Sequence, residues 1–179
     1  MQFQGQAKPP IGVVFDSDLG NGIDDALALA MLNGFEGKGE ARLISTSTTK
    51  SNLKAAAFCE ALAKFFSPPP PPGGGPFGGF QRPAPPIGMA DNGKLADDSP
   101  VINAVLEKKT PDGKPVYART INKLNDTADP VALIRNAFTA QNDENCVVVL
   151  AGPATNLAKV MDLPRSMDLI KRRVSVPPR

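Results

Sequence analysis

No histidine occurs anywhere in the 179 residues. That absence removes Ser-His-Asp and Cys-His catalysis from the options, along with any zinc site that needs an imidazole. Chemistry within this chain has to run on carboxylates, amides, hydroxyls, lysines or a hard metal ion. Cysteine is scarce: Cys59 and Cys146 stand far apart, each among apolar residues, with no CxxC spacing. They read as two buried thiols in a reducing compartment rather than as a metal or redox motif. No apolar run approaches the length of a membrane span. The opening MQFQGQAKPP has no apolar core of the kind a secretion signal carries. There is no strong excess of either charge, the formal net value being +2, which argues against a nucleic-acid partner. The expectation is a cytoplasmic protein that engages neither nucleic acid nor membrane.

What is present is an alternation of short β-type and helical stretches. Ile11–Phe15 is a β-branched, apolar run between Pro9-Pro10 and Asp16, and reads as a buried strand. After a glycine-bearing turn, Asp24 or Asp25 is placed to cap a helix over Ala26–Leu32, with Asn33-Gly34 as its stop. Ala41–Thr48 reads as a second strand, and Asn52–Phe66 has helical spacing. Ile87–Ala90 suits a short third strand, and Pro100–Lys109 suits a helix. Asp129-Pro130 combines an N-cap with proline at the first helical position and opens a helix to about Gln141. CVVVL at Cys146–Leu150 has the composition of a strand buried on both faces. AGPATNLAKVM then leads into another helix, and LIKRRVSVPPR ends a helix and begins a strand. The predicted fold class is α/β, with a mainly parallel, Rossmann-like open sheet flanked by helices. Residues 1–10 are expected to be an N-terminal extension and 11–179 one domain. Within it, 67–86 holds nine of the nineteen prolines and five of the sixteen glycines, and so reads as a surface loop or linker.

The sequence FDSDLGNGIDDALALAML puts four carboxylates, Asp16, Asp18, Asp24 and Asp25, into ten positions. A strand at Ile11–Phe15 delivers Asp16 and Asp18 to the carboxyl edge of the sheet, where open α/β sheets bind ligands. A helix cap accounts for one aspartate and leaves three. Carboxylates about 5 Å apart repel by several kcal/mol at an effective dielectric near 20. Either some are protonated or a cation holds them together, and a hard divalent ion suits an all-oxygen donor set. Gly20 and Gly22 allow the tight turns such a loop needs. Ala151-Gly152-Pro153 follows the CVVVL strand and belongs at the same edge, where its carbonyls are either metal donors or part of a plain strand-to-helix turn.

These residues resemble the inosine–uridine-preferring nucleoside hydrolase family. The family's DxDxGxDD-A pattern stands here as Asp16-Ser17-Asp18-Leu19-Gly20, then Asn21-Gly22 and Ile23, then Asp24-Asp25-Ala26. Two extra residues precede the aspartate pair, as in the branch with the longer loop, and Gly22 replaces an aspartate of that branch. VVVLAGPATNLA is similar to the strand ending in TGPLTNLA, and LISTSTTKSN to the second strand and the asparagine after it. The three matches span roughly residues 11–162, in order. The resemblance implies calcium as cofactor, with Asp18, Asp25 and the backbone carbonyl of Ala151 as ligands. It makes Asp18 the base that takes a proton from the attacking water. It makes Asp24 and Asn52 ribose contacts and Asp16 a supporting residue. The implied reaction is hydrolysis of the N-glycosidic bond of a ribonucleoside to ribose and free base, by a homo-oligomer, a dimer or a tetramer.

Family members are longer, and their second half carries a further calcium-binding aspartate, more ribose contacts and often a histidine acid. The expectation is therefore a fold truncated after its first half, whose activity is open to impairment. Two other readings stay open. A haloacid-dehalogenase-type phosphatase also begins with a strand and a DxD pair and uses magnesium, although Leu19-Gly20 stands where that family has Gly-Thr. A non-catalytic calcium- or sugar-binding remnant would explain the short chain.

Overall fold

The structure is a computed structural model and describes residues 9–66, 85–93 and 96–175. The Pro/Gly-rich stretch expected to be a loop lies almost wholly outside the described residues. Four strands, β1 (Ile11–Ser17), β2 (Ala41–Thr48), β3 (Ile87–Met89) and β4 (Cys146–Ala151), form one sheet in the order β3-β2-β1-β4. Every pairing is parallel. This is the α/β architecture expected from the sequence. It follows from strands too far apart in sequence for hairpins and joined through helices.

The helices divide between the two faces. On one lie α1 (Asp24–Gly37), α2 (Leu53–Phe66) and α3 (Pro100–Leu106); on the other lie α4 (Pro130–Thr139), α5 (Thr155–Met161) and α6 (Ser166–Arg173). The alternation of β1 sets this division. Val13 and Phe15 join a core with Leu29, Leu43, Ala56, Phe58 and Ile102, whereas Val14 joins Ile134, Phe138, Cys146 and Val160. Both cysteines are free and buried. Burial pushes the thiols up to about 12 for Cys59 and about 11 for Cys146, so both behave as small apolar side chains.

Several boundaries differ from the sequence expectation, each for a physical reason. β1 does not stop at Phe15 but pairs on through Asp16 and Ser17, which sit opposite Ser47 and Thr48 of β2. α1 runs past Asn33-Gly34 to Gly37, because the Asn33 amide folds back and donates to the Leu29 carbonyl at 2.8 Å. The chain turns instead at Gly39, whose φ is 72°. Neither Asp24 nor Asp25 caps α1: the cap position is Ile23 and carries no side-chain bond. Both aspartates stand in the first turn, where the helix dipole favours negative charge. The aspartate cap of α4 is as expected, whereas Asn52, read as the first helical residue, stands just before α2 and caps it. Asn52 Oδ1 accepts from Ala55 N at 3.1 Å at the head of α2, and Asp129 Oδ1 accepts from Ala132 N at 2.7 Å at the head of α4.

β4 is the largest correction. Its composition suits a strand covered on both faces, yet it is an edge strand and Leu150 is 40% exposed. Beyond it, among the described residues, only Val174 bridges in parallel to Cys146, with Ser175 N donating to Cys146 O at 2.8 Å. The basic end of α6 is held by ion pairs rather than left free. Arg172 Nε lies 2.9 Å from the Asp143 carboxylate, which Arg173 also meets.

Candidate functional site

The carboxyl ends of β1, β2 and β4 bring the predicted residues to one edge of the sheet. β1 is central, so whatever follows Ser17 emerges between the ends of its two neighbours. Ser17 pairs with Thr48 on one side and Ala151 on the other. The loop that follows is fixed from below by Leu19, which is fully buried. It turns at Gly20, whose φ is 108° and whose missing Cβ would lie 2.7 Å from Ile102 Cδ1 of α3. The loop thus hangs Asp18 and Asn21 over the edge and returns the chain into α1, with Asp24 and Asp25 leading.

The four aspartates do not form one cluster. Asp16 continues the alternation of Val14 and points toward the α4–α6 face. It is 1% exposed. Its Oδ1 accepts from Ser47 Oγ at 2.7 Å and from Asn156 Nδ2 of α5 at 3.0 Å. Its Oδ2 is buried and has no partner among the described residues. Burial pushes this carboxyl above its ordinary range, against the pull of the two hydrogen bonds. Asp16 therefore ties β1 to β2 and α5 near the carboxyl edge of the sheet.

Asp18 and Asp25 are close enough to sense each other. Asp25 is 3% exposed. Burial first, and then the charges of Asp18 and Asp24, push its carboxyl up to about 6. Asp24 is exposed at the start of α1. Asp18 is half-buried, with Oδ2 accepting from Asn21 Nδ2. The turn after β4 passes directly beside it: a Cβ on Gly152 would lie 2.6 Å from the Asp18 backbone nitrogen and 2.8 Å from its Oδ1. Ala151, one residue earlier, ends β4 at the same edge.

Asn52 lies at the same edge with its side chain fully engaged. Besides capping α2, its Nδ2 donates to Ala96 O at 3.0 Å, Asp97 O at 3.3 Å and Asp98 Oδ1 at 3.0 Å. It clamps the segment 96–98 to the head of α2.

No group of three or more carboxylate or thiol side chains able to hold a metal ion occurs among the described residues. What the edge offers is a pair, Asp18 and Asp25, with the end of β4 beside Asp18. These are oxygen donors throughout, the type a hard divalent ion takes. Asn21, Ser47 and Asn156 carry no site signal in the sequence. Asn156 stands in the AGPATNLA segment, and its asparagine alone gave no sign that it reaches Asp16, 140 positions away.

No protein-family profile matches the chain, and no curated protein does. Solved structures do match. The type III effector protein XopQ, in complex with adenosine diphosphate ribose, superposes with a TM-score of 0.61 at 12% identity, over 94% of this chain and 43% of that one. The effector protein XOO4466 superposes with a TM-score of 0.61 at 11% identity, over 97% of this chain and 46% of that one. The likeness is one of fold. The chain spans less than half the length of these structures.

Proposed function

We propose that this chain carries the calcium- and ribose-binding half of an N-ribosyl hydrolase, acting on ribonucleosides. The observation that carries the proposal is Asp18 set against the turn after β4 and near enough to the buried Asp25 to help raise its carboxyl. A soluble domain that buries Asp25 next to two like charges, at a cost that lifts its carboxyl to about 6, gains from a cation that relieves them. The fold likeness to a protein solved with a ribosyl compound bound agrees with such a substrate.

In this scheme Asp18, Asp25 and the Ala151 carbonyl hold the ion. When bound, calcium would orient the ribose hydroxyls and acidify a water molecule. The chain's own residues do the rest. Asp18 takes one proton from water as the water oxygen bonds the anomeric carbon and the C1′–N bond breaks through an oxocarbenium-like transition state, the base leaving with the electron pair and taking its proton from solvent. Asp24, exposed at the first turn of α1, accepts from a ribose hydroxyl. Asp16 keeps β1 in register with β2 and α5 beneath them. Asn52 sets the rim, since a ribose contact would require its amide to release one of its present partners.

The buried Asp16 speaks against the phosphatase reading, in which the first carboxylate of the DxD pair must be open to attack phosphorus. The test is release of reducing sugar from a panel of ribonucleosides, with calcium and with chelator. Calcium-dependent ribose release that is lost in Asp18→Asn supports the proposal. A folded chain that binds calcium and nucleoside without releasing ribose would instead be a non-catalytic binding module.

A further inference from the structure

Lys50 lies two residues beyond β2, and Asn21 lies in the loop beyond β1. Because the strands are parallel neighbours, both residues emerge on the same edge of the sheet. The backbone there is well tied: Thr49 N donates to Ser17 O at 2.9 Å, and Lys50 N donates to Thr48 Oγ1 at 3.1 Å. From this anchor Lys50 Nζ donates to Asn21 Oδ1 at 3.0 Å, and Asn21 Nδ2 donates to Asp18 Oδ2. The chemistry of the three groups fixes the direction of the chain. A lysine ammonium only donates, so the amide oxygen must face Lys50 and the amide N–H must face the carboxylate.

We infer that Lys50 is a positioning residue that acts through Asn21 to hold the Asp18 carboxylate in one orientation. The inference rests on the assignment of Asp18 as the base. A terminal carboxylate torsion is broad and roughly two-fold, so an untethered Asp18 would turn freely at the strand end. With Oδ2 taken by Asn21, the other oxygen is the one set against the Gly152 backbone, 2.8 Å from where a Cβ would stand. The interposed amide also matters. A lysine in direct contact would pair with the carboxylate and compete with any incoming cation. Through Asn21 it orients Asp18 and polarises the amide without occupying it. Asn21 belongs to the two residues by which this loop exceeds the shorter DxDxGxDD pattern, so the longer loop supplies the relay.

The test combines amide NMR with kinetics on Lys50→Met, Lys50→Arg, Asn21→Ala and the Lys50→Met/Asn21→Ala double variant. In the wild type the Asn21 side-chain N–H pair should resonate away from free-amide positions. It should move to them in Lys50→Met and stay in place in Lys50→Arg, with the remaining spectrum unchanged. Turnover for ribose release should fall roughly tenfold to a hundredfold in Lys50→Met, with KM altered less than about twofold. Turnover should recover in Lys50→Arg and fall no further in the double variant than in Asn21→Ala. An Asn21 amide at free positions in the wild type, or one indifferent to Lys50→Met, overturns the inference, as do additive losses in the double variant. A wild type that releases no ribose defeats the assignment of Asp18 as base. An amide that still responds to Lys50 in that protein supports the relay.

Discussion

Gly152 passes so close to Asp18 that a Cβ on it would stand 2.6 Å from the Asp18 nitrogen and 2.8 Å from Oδ1. The nearest obstructing atom is the Asp18 backbone nitrogen, which cannot turn aside as a side-chain end could. Gly152→Ala should therefore displace the Asp18 loop. The expected loss is about 1–3 kcal/mol of stability, measured by urea unfolding, together with weakened calcium binding.

Gly34 provides the contrast. It sits inside α1 with nothing within 4 Å of its would-be Cβ. Gly34→Ala should stabilise the protein by roughly 0.5–1 kcal/mol through helix propensity alone, with calcium binding unchanged. Thermal melts of the two glycine variants side by side check both expectations.

Asp25 is expected to trade stability for binding. Its folded carboxyl titrates near 6 against an ordinary 3.8. Folding therefore favours its protonated form, and its contribution to stability is present below about 3.8 and lost as pH rises through 6. Asp25→Asn should stabilise the metal-free protein at pH 8 by about 3 kcal/mol, and hardly at all at pH 4. The same variant should lose calcium binding.

Glu60 works in the opposite sense. Burial would push its carboxyl up, but the Lys64 ammonium, the Thr120 hydroxyl and the Ile121 and Thr120 N–H groups outweigh burial and pull it down to about 2. The three bonds to Thr120 and Ile121, 2.6 to 2.9 Å long, fasten the 120–121 segment to α2. Their stabilisation is full above the ordinary 4.5 and disappears as pH falls toward 2. Glu60→Gln should cost roughly 2–3 kcal/mol at neutral pH, with the difference shrinking in acid. Taken with Asp25, this places the maximum that these two carboxyls set for the metal-free protein between about pH 3.8 and 4.5, with stability falling from there to pH 6, a range that a series of thermal melts against pH would locate.

Local signals carried most of the fold. The β-branched run at Ala41–Thr48 and the Asp129-Pro130 start of α4 were legible because each is decided within a few residues. The edge position of β4 was not, because composition reports what a strand is suited to and not which neighbour it receives. The stop of α1 was missed for a related reason: Asn33 reads as a breaker until its amide finds the Leu29 carbonyl. At the site, the carboxyl-edge placement of Asp18 followed from strand direction. The inward turn of Asp16 did not, since it depends on Ser47 and on Asn156 from the far end of the chain. Asn21 and Lys50 were invisible for the same reason, each being ordinary until the parallel pairing of β1 and β2 sets them side by side.

The most direct measurement is a calorimetric titration of calcium, with magnesium as control, into the wild type and into Asp18→Ala/Asp25→Ala. The expected result is calcium binding that exceeds magnesium binding and vanishes in the double variant while the protein stays folded. A folded wild type that binds no calcium, or that prefers magnesium, would contradict the assignment of this carboxylate pair.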